Sequence, residues 1–132
     1  MGANNYKNGS FRKSLMCAST GFAFGMKERN TKVHLTSFIL AIFLGAYFNI
    51  TQYEWLTLFI VSAGVFSLEL VNTAIEEVCD RLRDDLGLSY ESTRKARDVA
   101  AGAVLAMSLL ALLCGFVIFL PRIFLMVYKI LL

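Results

Sequence analysis

Charged residues are spaced unevenly along the chain and leave long apolar stretches between them. Residues 33–53 and 99–121 contain no Asp, Glu, Lys or Arg over 21 and 23 positions, respectively. A third apolar stretch, residues 55–68, is interrupted at Glu69 and can span a membrane only if its helix continues to about residue 78. A membrane-spanning helix needs about 20 predominantly apolar residues, so the first two stretches qualify directly.

No stretch alternates apolar and polar residues over a useful length. Because only helices and closed barrels satisfy the backbone inside a bilayer, the pattern predicts an all-α integral membrane protein. We expect a single domain over residues 1–132, with transmembrane helices at about 33–50, 55–78 and 99–120.

The first helical segment differs because its apolar residues recur on one side only. Their spacing of four, three, four and four residues is that of one helix face. These residues are Phe11, Leu15, Ala18, Phe22 and Met26. We predict an amphipathic surface helix over about residues 11–27, lying in the membrane interface. An ordinary packing helix is the alternative.

Composition and charge agree with a membrane location and indicate its orientation. The chain is 57% hydrophobic and 17% charged, against about 45–50% and about 25% in soluble domains. Eleven basic residues lie before the first predicted span or between the second and third, and two follow the third. They are Lys7, Arg12, Lys13, Lys27, Arg29 and Lys32, then Arg81, Arg83, Arg94, Lys95 and Arg97, then Arg122 and Lys129.

The positive-inside rule therefore places the N-terminus and the 79–98 loop on the cytoplasmic side. We expect a multi-pass protein of the cytoplasmic membrane. Residues 1–10 are polar and contain no apolar segment, so no cleavable signal peptide is expected.

Two common kinds of site are not indicated. Cys17, Cys79 and Cys114 lie far apart and form no C-x-x-C pair, and His34 is the single histidine, so no zinc site is expected. The sequence also lacks a G-x-x-x-x-G-K-[ST] loop and a protein-kinase signature. A nucleotide site would have to combine helix-borne carboxylates, a metal ion and basic residues.

An acidic stripe runs along the end of the second predicted span. Glu69, Asn72, Glu76 and Asp80 fall within an arc of about 80° on a helix. Ionisable residues in a membrane span are costly and are candidates for function. A polar cytoplasmic extension of the helix explains Asp80 equally well, but it does not explain Glu69, which is followed by apolar and small residues.

Two further polar groups flank the predicted spans on the same side of the membrane. Glu28 precedes the first span, where it is either a surface charge paired with Lys32 at i+4 or a functional carboxylate. Two carboxylates at this boundary, Glu28 and Glu76, can hold Mg²⁺ together with substrate phosphates. Arg97 and Asp98 open the third span, where basic residues either anchor the helix or clamp phosphates.

The stripe carries a resemblance to a known family. Residues 69–80 resemble the signature E-x-x-N-[ST]-A-[LIV]-E-x-x-V-D of prokaryotic diacylglycerol kinases, with Cys79 at the valine position. Residues 28–34, 100–104 and 119–123 are similar to the Gram-positive branch of that family, which phosphorylates undecaprenol. The resemblance extends from about residue 11 to residue 123.

The resemblance implies a homotrimer with three transmembrane helices and one surface helix per protomer, and active sites shared between neighbouring protomers. It implies that Glu69 is the general base, that Glu28 and Glu76 hold Mg²⁺ and thereby ATP, and that Asn72, Asp80 and Asp98 line the nucleotide site. Arg97 stands where the family usually has lysine. It keeps the charge but has a planar fork instead of a point charge, so we expect Arg97 to bind the phosphates, with neighbouring Lys95 able to compensate.

The expected function is that of a bacterial lipid kinase dependent on ATP and Mg²⁺. The Gram-positive-type segments favour undecaprenol as the acceptor, giving undecaprenyl phosphate for recycling of the lipid carrier. A diacylglycerol kinase that makes phosphatidic acid is the first alternative, and a small membrane protein without catalysis is the second. No nucleic-acid partner is expected.

Overall fold

The computed structural model describes residues 11–132, and this part of the chain forms four α-helices and no strand. The helices are α1 (Phe11–Gly25), α2 (Arg29–Tyr47), α3 (Gln52–Leu86) and α4 (Tyr90–Leu131). The all-helical prediction is therefore confirmed. The expectations for residues 1–10, including Lys7, lie outside the described residues.

Local capping explains where the two longest helices begin and end. Thr51 and Glu54 form a reciprocal capping box at the start of α3, which satisfies two backbone N–H groups. Gly87 ends α3 in the left-handed conformation at φ 67°, and its N–H donates to the carbonyl of Arg83, as glycine does at many helix ends. Ser89 accepts a hydrogen bond from the N–H of Ser92 and starts α4.

The segment 79–98, predicted as a loop, is mostly helical. Residues 79–86 complete α3, residues 90–98 begin α4, and only residues 87–89 connect them. The charged residues there suggested a loop, but they pair along and between the two helices and so accommodate a helical backbone. At its other end, α4 continues through Pro121 to Leu131, beyond the predicted end of the third span at residue 120.

Two helices of the described chain, α3 and α4, are long and apolar enough to cross a membrane. At about 1.5 Å per residue, the 35 residues of α3 extend about 52 Å, well beyond the about 30 Å of a hydrocarbon core. Helix α2 has 19 residues and a polar first turn containing Arg29, Asn30 and Lys32. The third span and the trimer therefore stay predictions.

The helices pack along α3. Helix α4 runs beside α3 over the longest contact, whereas α2 packs on α3 and touches α4, and α1 contacts α3 through its end. A β-carbon on Gly25 would overlap the side chain of Leu70, so the glycine permits this close approach. The buried apolar cluster lies near the α2–α3 turn and contains Ile50, Leu58, Ile118 and Phe119.

Most large apolar side chains lie on the outside of the helices. Phe43, Val117 and Phe124 are 69%, 68% and 72% exposed in the single chain. Large apolar side chains exposed in such numbers indicate contact with a membrane or with another protein. The fold therefore fits a protein whose surroundings are lipid or other copies.

An ion pair joins α3 and α4 at the end near the α2–α3 turn. Arg122 donates from Nη2 to Oε2 of Glu54 at 2.8 Å and from Nη1 to Oε1 at 2.9 Å. This two-point geometry is the strong form of an arginine–carboxylate interaction. Arg122 counted against the positive-inside assignment, and its local carboxylate partner accounts for it.

Candidate active site

The predicted acidic stripe lies on one continuous helix, so its residues share a face. Glu69 and Asn72 are buried, at 3% and 5% exposure. Asn72 Nδ2 donates to Oε1 of Glu76 at 2.9 Å. The Oδ1 atom of Asn72 is buried and has no hydrogen-bond partner within the described residues. A buried oxygen without a partner is uncommon and suggests a ligand or water at that position.

Helix α2 contributes His34 to this group. Its Nε2 lies 3.2 Å from Oε1 of Glu69, and the two side chains are 25% and 4% exposed. No role for His34 was predicted from the sequence. The signal in the sequence was a lone histidine at the start of an apolar span. Its partner Glu69 lies on another helix, so the sequence alone could not pair them.

Glu28 stands at the N-cap position of α2, where its side chain makes no capping hydrogen bond. It is exposed. Coulombic repulsion from both Glu76 and Glu28 acts on Glu69. Glu28 and Glu76 are thus each close enough to Glu69 to act on its charge.

A second polar contact connects α3 and α4 at Asp80. Arg97 Nη2 donates to Oδ1 of Asp80 at 2.8 Å, and Arg83 Nη1 lies 3.1 Å from the same oxygen. Asp80 lies beyond the predicted 55–78 span, and the hydrogen bond from Arg97 lowers its pKa. The Arg97 guanidinium also lies over the ring of Tyr90, 5.3 Å from its centroid. Contacts with Asp80 and Tyr90 therefore fix the position of the Arg97 side chain.

Asp98 is not brought into this group. It is exposed, and Arg94 Nε lies 3.5 Å from its Oδ2 on the surface of α4. Adjacent helix positions point about 100° apart, so Asp98 and Arg97 occupy different sides of α4.

Two cavities reach the polar residues. One of about 630 Å³ lies between α3 and α4, with Asn72 and Lys95 both in its lining. The other, of about 620 Å³, is bordered by α2, α3 and α4 and is largely apolar. It extends from His34 to Ile123, with Ser37 and Ser108 as its other polar lining residues.

The residues from 11 to 132 contain no group of three or more His, Cys, Asp or Glu side chains that could hold a metal ion. The three cysteines are free. A hard cation bound here would have one or two carboxylates from the chain and would complete its coordination with other oxygen atoms. That is the usual arrangement for Mg²⁺ with phosphate substrates.

Comparisons with known proteins cover most of the chain. The family model described as prokaryotic diacylglycerol kinase matches residues 16–119. The chain is 34% identical over 113 residues to the undecaprenol kinase of Bacillus subtilis, covering 85% of this chain and 89% of that relative. It is also 34% identical over 113 residues to a diacylglycerol kinase of Synechocystis, covering 85% of this chain and 61% of that longer relative. No solved structure matches.

Proposed function

This chain belongs to the prokaryotic diacylglycerol kinase family, and we propose that it transfers the γ-phosphate of ATP to the hydroxyl of undecaprenol. Family membership supports a lipid kinase and argues against the alternative without catalysis. Similarity to an undecaprenol kinase over 89% of that protein's length favours the polyprenol as acceptor. Diacylglycerol stays the second candidate because the other relative is a diacylglycerol kinase of equal identity.

The observation that carries this proposal is the position of Glu69. It is a buried carboxylate on a helix long enough to cross a membrane, and its partner His34 lines an apolar cavity. A lipid alcohol needs an apolar site for its chain and a proton acceptor for its hydroxyl. We assign Glu69 as the general base because its carboxylate contacts His34 at the edge of this cavity, and in the complex it would have to come within hydrogen-bond reach of the lipid hydroxyl.

The nucleotide is proposed to bind on the side of Asn72, Glu76 and Asp80. The cavity between α3 and α4 supports this because it is lined by Asn72 and by the cation Lys95. Arg97 is held by Asp80 and is proposed to supply positive charge near the phosphates. Asp98 is proposed to contribute from the surface of α4, where no contact joins it to the other site residues.

Mg²⁺ fits the oxygen atoms that the chain offers. Glu76 keeps one oxygen free of the Asn72 hydrogen bond, Asn72 Oδ1 has no partner within the described residues, and Glu28 makes no capping bond. We propose Glu28 and Glu76 as the carboxylates that hold the ion. Bound there, Mg²⁺ would neutralise negative charge on the transferring phosphate.

The remaining expectations form part of the same proposal. The exposed apolar faces support a homotrimer, in which neighbouring protomers would complete each site. The segment 33–50 would be the first of three spans, and the α3–α4 connection would face the cytoplasm together with Glu28. A surface helix at α1 would lie along the membrane interface.

The test is phosphate transfer from labelled ATP in mixed micelles, offering undecaprenol and diacylglycerol separately with and without Mg²⁺. We expect Mg²⁺-dependent labelling of undecaprenol, with Glu69→Gln as the inactive control. Labelling of diacylglycerol alone would overturn the acceptor assignment, and a well-folded protein that labels neither lipid would overturn the kinase assignment.

A further inference from the structure

The contact between His34 and Glu69 has properties that a surface ion pair lacks. Nε2 of His34 lies 3.2 Å from Oε1 of Glu69. An ionised carboxylate can only accept hydrogen bonds, so His34 is the donor in any hydrogen bond made at this contact. The Glu69 side chain is 4% exposed, so water does little to orient it. Within residues 11–132, His34 is the one basic side chain whose nitrogen lies within 4 Å of the Glu69 carboxylate.

The other charges that act on Glu69 cannot perform this role. Glu76 and Glu28 repel its negative charge, and neither can donate a hydrogen bond while ionised. Asn72 has its amide nitrogen engaged by Glu76. The direction in which the Glu69 carboxylate points therefore depends on a residue of α2, although Glu69 itself belongs to α3.

His34 contacts both Glu69 and the apolar cavity. It borders that cavity, and Glu69 is absent from its lining. A lipid chain in the cavity would bring its polar end to the side of the cavity that His34 borders, next to Glu69. His34 approaches Glu69 at Oε1, which leaves Oε2 as the oxygen that faces no described cation.

We propose that His34 is a positioning residue, which fixes Oε1 of Glu69 through its Nε2–H and leaves Oε2 available to accept the proton of the lipid hydroxyl. The inference rests on the proposed function, in which Glu69 is the general base. The proton moves from the hydroxyl to Oε2 of Glu69 as the hydroxyl oxygen bonds to the γ-phosphorus and the bond to the ADP oxygen breaks. His34 keeps its own proton throughout this step.

Amide side chains provide a matched pair of variants. The amide nitrogen of glutamine occupies roughly the position of Nε2 in histidine, whereas that of asparagine is closer to the position of Nδ1. We expect His34→Ala and His34→Asn to lower kcat for the lipid by about 10–100-fold, the usual effect of removing a group that orients a functional residue. His34→Gln should recover most of that loss, and the KM for ATP should stay unchanged in all three.

Imidazole provides an independent readout. Added imidazole should raise the kcat of His34→Ala and leave that of the wild type unchanged. The control is Thr36→Ala on the same helix, because the Thr36 hydroxyl is exposed and bonds only to the carbonyl of Lys32. Thermal unfolding and size-exclusion profiles establish the folded fraction of every variant before rates are compared.

The outcomes separate the two levels of the proposal. If the wild type is active and His34→Ala keeps its rate, the role of His34 is overturned but the proposed function is not. Equal rates for His34→Gln and His34→Asn would have the same meaning. A wild type that phosphorylates no lipid alcohol would overturn the proposed function and the positioning role with it. Loss of rate in proportion to loss of folded protein, without rescue by glutamine or imidazole, would reduce His34 to a structural contact.

Discussion

Polar groups at the start of α3 and polar groups between α2 and the middle of α3 differ in whether their hydrogen bonds are completed. At the start of α3, Glu54 accepts two hydrogen bonds from Arg122 and two from Thr51, which leaves neither of its oxygens without a partner. Between α2 and the middle of α3, Asn72 Oδ1 and Thr31 Oγ1 are buried without partners in the described chain. An unsatisfied buried polar group costs about 1–3 kcal/mol.

The difference distinguishes an ion pair that holds two helices together from polar atoms whose hydrogen bonds are left open for a ligand. A pair such as Glu54 and Arg122 completes its own hydrogen bonds and needs nothing from outside. Under the proposed function, substrates would complete the hydrogen bonds of the unpartnered atoms near Glu69. Ser108 in the middle of α4 also has an unpartnered hydroxyl, and it faces the apolar cavity. The contrast predicts that variants at the Glu69 end affect rate, and variants at the Glu54 end affect stability.

The largest effect is expected for Glu69→Gln. The amide keeps the size of the side chain but cannot accept the proton of the hydroxyl, so kcat should fall by about 10²–10⁴-fold. The measurement is phosphate transfer to undecaprenol by protein whose thermal unfolding is unchanged. A variant with near wild-type kcat would remove Glu69 from the role of base.

A smaller effect is expected for Asn72→Ala. Its amide donates to Glu76 and so orients a proposed metal ligand. Loss of this hydrogen bond should raise the Mg²⁺ concentration for half-maximal activity by about 10–100-fold. Titration of activity with Mg²⁺ measures this, with Ser67→Ala on the exposed surface of α3 as the control. An unchanged Mg²⁺ requirement would contradict the assignment of Glu76.

Replacing Arg97 tests which cation contacts the phosphates. Arg97→Met should raise the KM for ATP roughly tenfold, equivalent to about 1.4 kcal/mol of binding, and Arg97→Lys should raise it less because lysine keeps the charge. Steady-state kinetics with varied ATP provides the values. If Lys95→Met alone raises the KM, the phosphate contact belongs to Lys95, which lines the cavity with Asn72.

The smallest effect on rate is expected at the other end of α3. Arg122→Met leaves Glu54 without the guanidinium that joins α4 to α3, so the midpoint of thermal unfolding should fall while kcat per folded molecule stays the same. Thermal unfolding in micelles and transfer assays at low temperature measure the two quantities. A large fall in kcat without loss of stability would contradict a purely structural role.

The sequence predicted the helices and the acidic face, because both depend on spacing within one continuous helix. It did not predict the partners between helices. Glu54 and Arg122 are 68 residues apart, and Asp80 and Arg97 are 17 apart. Such pairs depend on how far one helix is shifted along another, which no local pattern reports. The same is true of His34, whose partner on α3 becomes evident only when α2 is packed against it.

The length of α3 has a consequence for the membrane in which the protein works. Glu69 lies 17 residues after Gln52, or about 26 Å along the helix, and Asp80 lies 28 residues after it, or about 42 Å. If α3 begins at the outer surface, as proposed, an about 30 Å hydrocarbon core ends between these two residues. Thicker bilayers would draw Glu69 away from the aqueous donor and thinner ones would expose it, so turnover should pass through a maximum as acyl chains lengthen.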